Sequence, residues 1–249
     1  MRIGGVPLNI VWESPEINMK IIERLFAGAS AAGVELIVFP ETTLSGFTRN
    51  AERAYVKDAC DFFKKQVDYW GIPAVYGFID KRESKFYNCA AFLASGSEPL
   101  IYRKRKLFSY GGENTVYTPG DSNLSFAMKE IQFSLNICYD LRFPELFRAN
   151  LPAEVMIVIA NWPEKRANHW QALLKARAIE NQSFVLGLNR TGVDGNGIEY
   201  DEAFSVLFDQ DGNEVPFEAE KGLLLWELDY ERLSILRDWR ERFPALKDI

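Results

Sequence analysis

Ile131-Gln-Phe-Ser-Leu-Asn-Ile137 runs directly into Cys138-Tyr-Asp-Leu-Arg-Phe-Pro144, and Val155-Met-Ile-Val-Ile-Ala160 follows soon after. The first run alternates, as a strand does. Pro144 to Ala149 opens like a short helix. Val155 to Ala160 is apolar at every position, the mark of a strand buried on both faces. His169 to Asn181 places Leu173, Leu174 and Ala178 on one helical face, and Phe184-Val-Leu-Gly-Leu188 is the next strand. Strand, helix and strand in alternation point to an α/β fold.

The pattern extends in both directions. Ile17 to Ala32 is helical, with Ile17, Ile21, Leu25 and Phe26 spaced to face a core, and it stops near Gly33. Glu35-Leu-Ile-Val-Phe39, between Gly33 and Pro40, reads as a buried strand. Glu52 to Trp70 is expected as one helix, and Ala74-Val-Tyr-Gly-Phe-Ile79 as a strand. Asn88 to Leu93 and Leu100 to Tyr102, with a turn near Gly96, form an expected hairpin. Phe204 to Phe208, a turn at Asp211-Gly212-Asn213, and Leu223 to Leu228 complete the sheet signals. Roughly ten strands exceed what one ordinary sheet holds, so two packed mixed sheets are expected. With no linker or repeat in view, residues 1–249 are expected to form one domain.

The chain carries a single histidine, His169, and three cysteines, Cys60, Cys89 and Cys138. A site needing two histidine ligands is excluded, which removes most catalytic zinc and non-haem iron arrangements. Three cysteines cannot make a four-cysteine zinc site. An odd cysteine count in a chain this long argues for a reducing compartment, so a cytoplasmic location is expected. No secretory apolar stretch follows Met1 to Gly5, and Val155 to Ala160, the longest strongly apolar run, is too short to cross a bilayer. The formal net charge of −6 gives no expectation of nucleic-acid binding.

Three strands end on a reactive side chain. Glu35 to Phe39 leads to Glu41, Leu100 to Tyr102 leads to Arg103-Lys104-Arg105-Lys106, and Ile131 to Ile137 leads to Cys138. Ligands gather at the carboxyl ends of strands in α/β proteins. Glutamate, lysine and cysteine together make chemical sense without histidine. The thiolate attacks, a buried glutamate of raised pKa takes the thiol proton, and the lysine steadies a developing oxyanion. Taken singly, each has a plainer role: a core cysteine, a helix-start carboxylate and a solvated basic face.

Together the segments resemble the nitrilase superfamily of carbon–nitrogen hydrolases. Phe39-Pro40-Glu41-Thr-Thr-Leu-Ser-Gly-Phe47 is similar to the family's first motif, Tyr102-Arg-Lys104-Arg-Lys-Leu-Phe108 to the second, and Asn136-Ile-Cys138-Tyr-Asp-Leu-Arg-Phe-Pro-Glu145 to the third. Tyr117-Thr-Pro-Gly120, Ala160-Asn-Trp-Pro163, Ala176-Arg-Ala-Ile-Glu-Asn-Gln182 and Asn189-Arg-Thr-Gly192 also have counterparts, in the same order and at similar spacing. One departure is Lys106, where the family often has histidine.

The resemblance implies a four-layer α-β-β-α sandwich and hydrolysis of a non-peptide carbon–nitrogen bond without cofactor or metal. By motif, Glu41 is the general base, Lys104 the oxyanion partner and Cys138 the nucleophile. Glu113 is expected near the lysine, and the backbone N–H of Tyr139 as a second oxyanion donor. The motif details look most like the omega-amidase branch, which deamidates 2-oxoglutaramate and 2-oxosuccinamate. Such anionic substrates need a cation, and Arg142 is the first candidate, against a plain ion pair with Glu145. Asn161 and Trp162 are expected at the substrate. A different amidase or N-carbamoyl hydrolase, a nitrilase, and a silent binding protein on the same fold are the competing readings. A homodimer is expected, through Arg142 to Asn150 and Ala167 to Asn181, with Leu236 to Ile249 reaching across. His169 is expected to pack or cap, and Cys60 and Cys89 to be buried structural residues.

Overall fold

A computed structural model describes residues 1–200 and 204–247. Arg2–Gly5 (β1), helix Pro15–Ala31 (α1) and Leu36–Val38 (β2) lead the chain; helices Ala51–Ala54 (α2) and Ala59–Trp70 (α3) precede Ala74–Arg82 (β3), Lys85–Leu93 (β4) and Leu100–Arg103 (β5). Ser125–Met128 (β6), Ile131–Ile137 (β7), helix Pro144–Arg148 (α4), Val155–Ala160 (β8), helix Ala167–Asn181 (α5) and Phe184–Asn189 (β9) follow. The rest comprises the small pair Gly192–Val193 (β10) and Glu199–Tyr200 (β11), then Val206–Phe208 (β12), Glu214–Val215 (β13), Phe217–Glu220 (β14), Leu223–Glu227 (β15) and helix Tyr230–Arg242 (α6).

Two mixed sheets result. One has the order β14-β15-β1-β2-β3-β4-β5, the other β13-β12-β9-β8-β7-β6. Each is parallel at its centre, β1-β2-β3 and β7-β8-β9, with antiparallel strands at the edges.

The continuous apolar runs now have a cause. Val38, Val75 and Tyr102 of the first sheet meet Ile137, Ile159 and Leu188 of the second in a core between the sheets. Ile37, Phe39, Ala74 and Tyr76 point the other way, onto Phe26 of α1 and Phe63 and Val67 of α3. Phe63 stacks on Tyr76 with ring centroids 3.8 Å apart. On the far side, Met156, Val158 and Val185 lie under Trp170, Leu174 and Ala178 of α5. Central strands are therefore covered on both faces, and the architecture is the expected four-layer α-β-β-α sandwich.

Several elements differ from expectation. β1 has too few side chains to give a strand signal, because two of its four residues are Gly4 and Gly5. A Cβ on Gly5 would lie 2.6 Å from the Trp226 ring, so close packing of β15's tryptophan excludes a larger residue. The expected helix Glu52 to Trp70 is broken into α2 and α3, with Tyr55 extended at ψ 127°. Ala51 and Ala54 pack on Ile79 and Tyr117, whereas Ala59, Phe63 and Val67 face the α1 side, and one straight helix cannot serve both. β6 and α6 lie in segments given no secondary structure by the sequence reading. The hairpin β4–β5 forms as expected, with Ala90 opposite Tyr102. Of the C-terminal segment Leu236 to Ile249, Asp248 and Ile249 lie outside the described residues. Among the described residues no helix is long and apolar enough to cross a membrane.

Candidate active site

β4 runs antiparallel to both β3 and β5, so β5 points the same way as the parallel pair β2–β3. Glu41 and Lys104, each just past a strand of the first sheet, therefore emerge at one end of it. Cys138, just past β7 of the facing sheet, meets them.

Local structure fixes each one. The turn carrying Glu41 lies against β3 at Gly77, where a Cβ would stand 2.4 Å from the Thr42 nitrogen and 2.7 Å from the Glu41 Cα. Thr43 secures that turn, donating its N–H to the Gly77 carbonyl at 2.9 Å and its hydroxyl to the Pro40 carbonyl at 2.6 Å. Thr42 and Cys138 both hold positive φ, 45° and 46°. Such a backbone is costly for a side-chain-bearing residue and is kept where surroundings impose it. At Cys138 it turns the chain from β7 into a 3₁₀ turn over Cys138–Arg142.

Lys104 Nζ donates to Glu41 Oε1 at 2.9 Å and to Glu113 Oε1 and Oε2 at 3.0 and 2.9 Å. Asn88 Nδ2 bridges the same two carboxylates, at 2.7 Å to Glu41 and 2.9 Å to Glu113. The Asn161 backbone N–H donates to Glu41 Oε2 at 2.8 Å, and its side-chain amide to the Glu41 carbonyl at 2.8 Å. Glu113 also accepts from the Phe108 N–H at 2.6 Å. Glu41, Lys104 and Glu113 are 1 %, 1 % and 0 % exposed, so this is a buried charge cluster with its polar atoms paired.

Burial opposes every charge here, and the neighbours decide the outcome. For Glu41, burial pushes the pKa up, but the Lys104 charge and the bonds from Lys104, Asn88 and Asn161 outweigh it and hold the carboxyl below its ordinary value. This corrects the expectation of a raised glutamate: the cation and three donors all favour the carboxylate. For Lys104, burial lowers the pKa, while Glu113, Glu41, Cys138 and Asp140 raise it well above the usual lysine range. Burial pushes the Cys138 thiol well up, and the Glu41 charge adds to it against Lys104. The resting site thus holds carboxylate, ammonium and neutral thiol, with the Cys138 thiol directed at the Asn161 carbonyl at 3.9 Å.

These groups form the floor of a cavity of about 720 Å³. Glu41, Lys104, Cys138, Tyr139, Arg142, Asn161 and Trp162 all line it, so the structure brings together the three candidate catalytic residues and the expected substrate residues. Glu113 sits behind Lys104 rather than on the cavity wall. Asn161 is engaged chiefly by Glu41, and Trp162 donates its Nε1–H to the Arg166 carbonyl at 2.8 Å. Arg142 lies 4.9 Å above the Trp162 ring and makes no salt bridge among the described residues. The suggested partner Glu145 pairs instead with Lys106 at 3.1 Å. His169 neither packs in the core nor caps α5: it is exposed, and its Nδ1 lies 3.2 Å from Arg142 Nη2. Cys89 is buried as expected, while Cys60 is half-buried.

Sequence reading missed Asn88, which bridges the carboxylates from mid-strand β4, and Arg49 and Arg166 on the cavity wall. An asparagine within a strand and arginines in loops carry no local signal of function. Among the described residues no group of three histidine, cysteine, aspartate or glutamate side chains is arranged to hold a metal ion.

Residues 2–237 match the family model described as carbon-nitrogen hydrolase. The chain belongs to the carbon–nitrogen hydrolase family. This carbon–nitrogen hydrolase is 31 % identical to an omega-amidase, YafV, of Escherichia coli strain K12, over 100 % of this chain and 96 % of the relative. It is 29 % identical to a 2-oxoglutaramate amidase of Bacillus subtilis strain 168, over 99 % and 96 %. Among solved structures, a superfamily protein from Xanthomonas campestris with an arsenic adduct in its active site superposes with a TM-score of 0.89, at 29 % identity, covering 100 % of this chain and 97 % of that one.

Proposed function

We propose that this hydrolase is an omega-amidase that releases ammonia from the distal amide of a 2-oxo dicarboxylate such as 2-oxoglutaramate or 2-oxosuccinamate. The observation that carries the reading is the convergence of Glu41, Lys104 and Cys138 on the floor of one cavity whose wall holds Arg142, a cation with no salt bridge among the described residues. The names of the similar amidases support the choice of substrate.

In this reading Cys138 Sγ attacks the amide carbon as its proton passes to Glu41. Lys104 Nζ and the Tyr139 N–H hold the oxyanion; an N–H in the first turn of a 3₁₀ segment has no acceptor within that segment. Glu41 returns the proton to the amide nitrogen, the carbon–nitrogen bond breaks, and ammonia leaves a thioester. Water then gives a proton to Glu41 and adds to the thioester carbon. Collapse breaks the carbon–sulfur bond, frees the acid, and the sulfur regains its proton from Glu41. Glu113 keeps Lys104 charged and in place throughout. Arg142 holds the substrate's carboxylate, at the end away from the reacting amide, with Trp162 beneath its guanidinium. Asn161 orients Glu41 from the substrate side of the cavity.

The reading extends to a single catalytic domain over 1–249, in the cytoplasm, paired as a homodimer. Ammonia release measured over 2-oxoglutaramate, 2-oxosuccinamate, simple aliphatic amides, N-carbamoyl amino acids and nitriles tests it. The 2-oxo amides should turn over with the highest kcat/KM, and Cys138→Ala should abolish the release. Preference for a nitrile or a carbamoyl substrate, or full turnover by Cys138→Ala, would overturn it.

A further inference from the structure

Asp140 stands two residues past Cys138 and is fully buried, yet among the described residues it has no salt-bridge partner. A buried carboxylate without a paired cation is kept only where its hydrogen bonds compensate. Here there are three. Oδ2 accepts from the Tyr102 hydroxyl at 2.8 Å and from the Ile137 N–H at 3.0 Å, and Oδ1 accepts from the Lys106 N–H at 2.9 Å.

The partners are placed tellingly along the chain. Tyr102 and Lys106 flank Lys104, each two residues away, and Ile137 immediately precedes Cys138. Tyr102 lies in β5 of one sheet and Lys106 in the bend three residues past its end, while Ile137 closes β7 of the other. One carboxylate therefore grips the lysine segment at two points and the nucleophile turn at one. The turn it grips is the one in which Cys138 holds φ 46°.

We propose that Asp140 is a positioning residue, which sets the placement of Lys104 Nζ against Cys138 Sγ by joining the two sheets at these three donors. The proposal rests on the reading of Lys104 and Cys138 as the oxyanion partner and nucleophile. Burial raises the Asp140 pKa to about 6, against Lys104 and the three bonds, so the acceptor form is the one present at neutral pH. The Tyr102 hydroxyl is held as the donor, its own pKa pushed well up by burial and by Asp140.

Two variants separate positioning from mere folding. Tyr102→Phe removes one donor and changes no charge at neutral pH. Asp140→Asn puts an N–H against one of the three donors, which releases one side of the clamp. Reacting atoms displaced by about an ångström lose on the order of 100-fold in rate. Asp140→Asn should therefore lose about 100-fold in kcat with KM within a few-fold, and Tyr102→Phe roughly tenfold. The double variant should be little worse than Asp140→Asn alone, because both act through one hydrogen-bonded unit.

The decisive readout is the rate of Cys138 alkylation by iodoacetamide as a function of pH, on protein confirmed as folded by circular dichroism. If Lys104 draws away from the sulfur in Tyr102→Phe, the profile moves to higher pH. A clamp that serves only folding leaves the profile and kcat of the folded fraction unchanged, and that result would overturn the proposal. Alkylation needs no substrate, so an unmoved profile beside normal wild-type turnover refutes the role of Asp140 alone. Turnover by Cys138→Ala refutes the catalytic reading instead.

Discussion

Lys104→Met tests whether the carboxylates really depend on one buried cation. In the native chain Lys104 Nζ makes three hydrogen bonds to two glutamates that are at most 1 % exposed. Removing one partner of a buried ionic group costs about 3–5 kcal/mol, because the remaining charge is left uncompensated. At about 2–4 °C per kcal/mol for a chain of this size, the melting temperature should fall by on the order of 10 °C at pH 8. The pH dependence should also reverse. Glu41 now titrates below its ordinary value, so its contribution to stability is present above the unfolded carboxylate pKa and is lost as pH falls. Without Lys104 the burial effect prevails, the folded pKa rises, and stability is instead lost as pH rises through it. Urea denaturation at pH 5.5 and pH 8 reads both effects. The variant should be weakest at pH 8 and recover at pH 5.5, where one glutamate takes up a proton. Adding Glu113→Gln should restore much of the loss by removing the like charge. Turnover should fall by about 100- to 1,000-fold, the usual cost of an oxyanion donor. A loss under about 1 kcal/mol that is equal at both pH values would refute the reasoning.

Three further outcomes are expected. Glu41→Gln should lower kcat by about 100- to 10,000-fold while making Cys138 alkylate faster at pH 8, since the Glu41 charge helps hold the thiol pKa up; slower alkylation would show that Glu41 does not act on the sulfur. Arg142→Met should raise KM for 2-oxoglutaramate by about 10- to 100-fold, the worth of a charged hydrogen bond, with kcat nearly unchanged; steady-state kinetics with an uncharged amide as control should show no such rise. Gly77→Ala should cost about 1–3 kcal/mol from overpacking and lower kcat more than tenfold, because its Cβ would stand 2.4 Å from the Thr42 nitrogen in the Glu41 turn; thermal melts and ammonia release together check this.

Much of the fold was legible because burial on both sides writes itself into a strand. Val155 to Ala160 can be apolar throughout only if helices cover one face and a second sheet the other, and the structure has both. Where side chains are small or serve neighbours out of sequence, the signal fails. Gly5 of β1 stays a glycine because Trp226, over two hundred residues away, fills the space, and Gly4 because Val34 does. The helix break at Tyr55 answers to Ile79 and Tyr117, which local periodicity does not see.

The sequence by itself determined the α/β class, the exclusion of any site with two histidine ligands, and the candidates Glu41, Lys104 and Cys138, because each follows a strong strand inside a distinctive segment. Tertiary structure decided what those groups are electrostatically. Glu41 is held as a carboxylate rather than raised as a lone buried acid, since Lys104, Asn88 and Asn161 reach it from three separate segments. It also decided that Arg142 lies over Trp162 beside His169 while Glu145 pairs with Lys106, and that Asp140 ties one sheet to the other. A pKa and a hydrogen-bond partner depend on distances of a few ångströms between residues far apart in the chain, and only folding sets those distances.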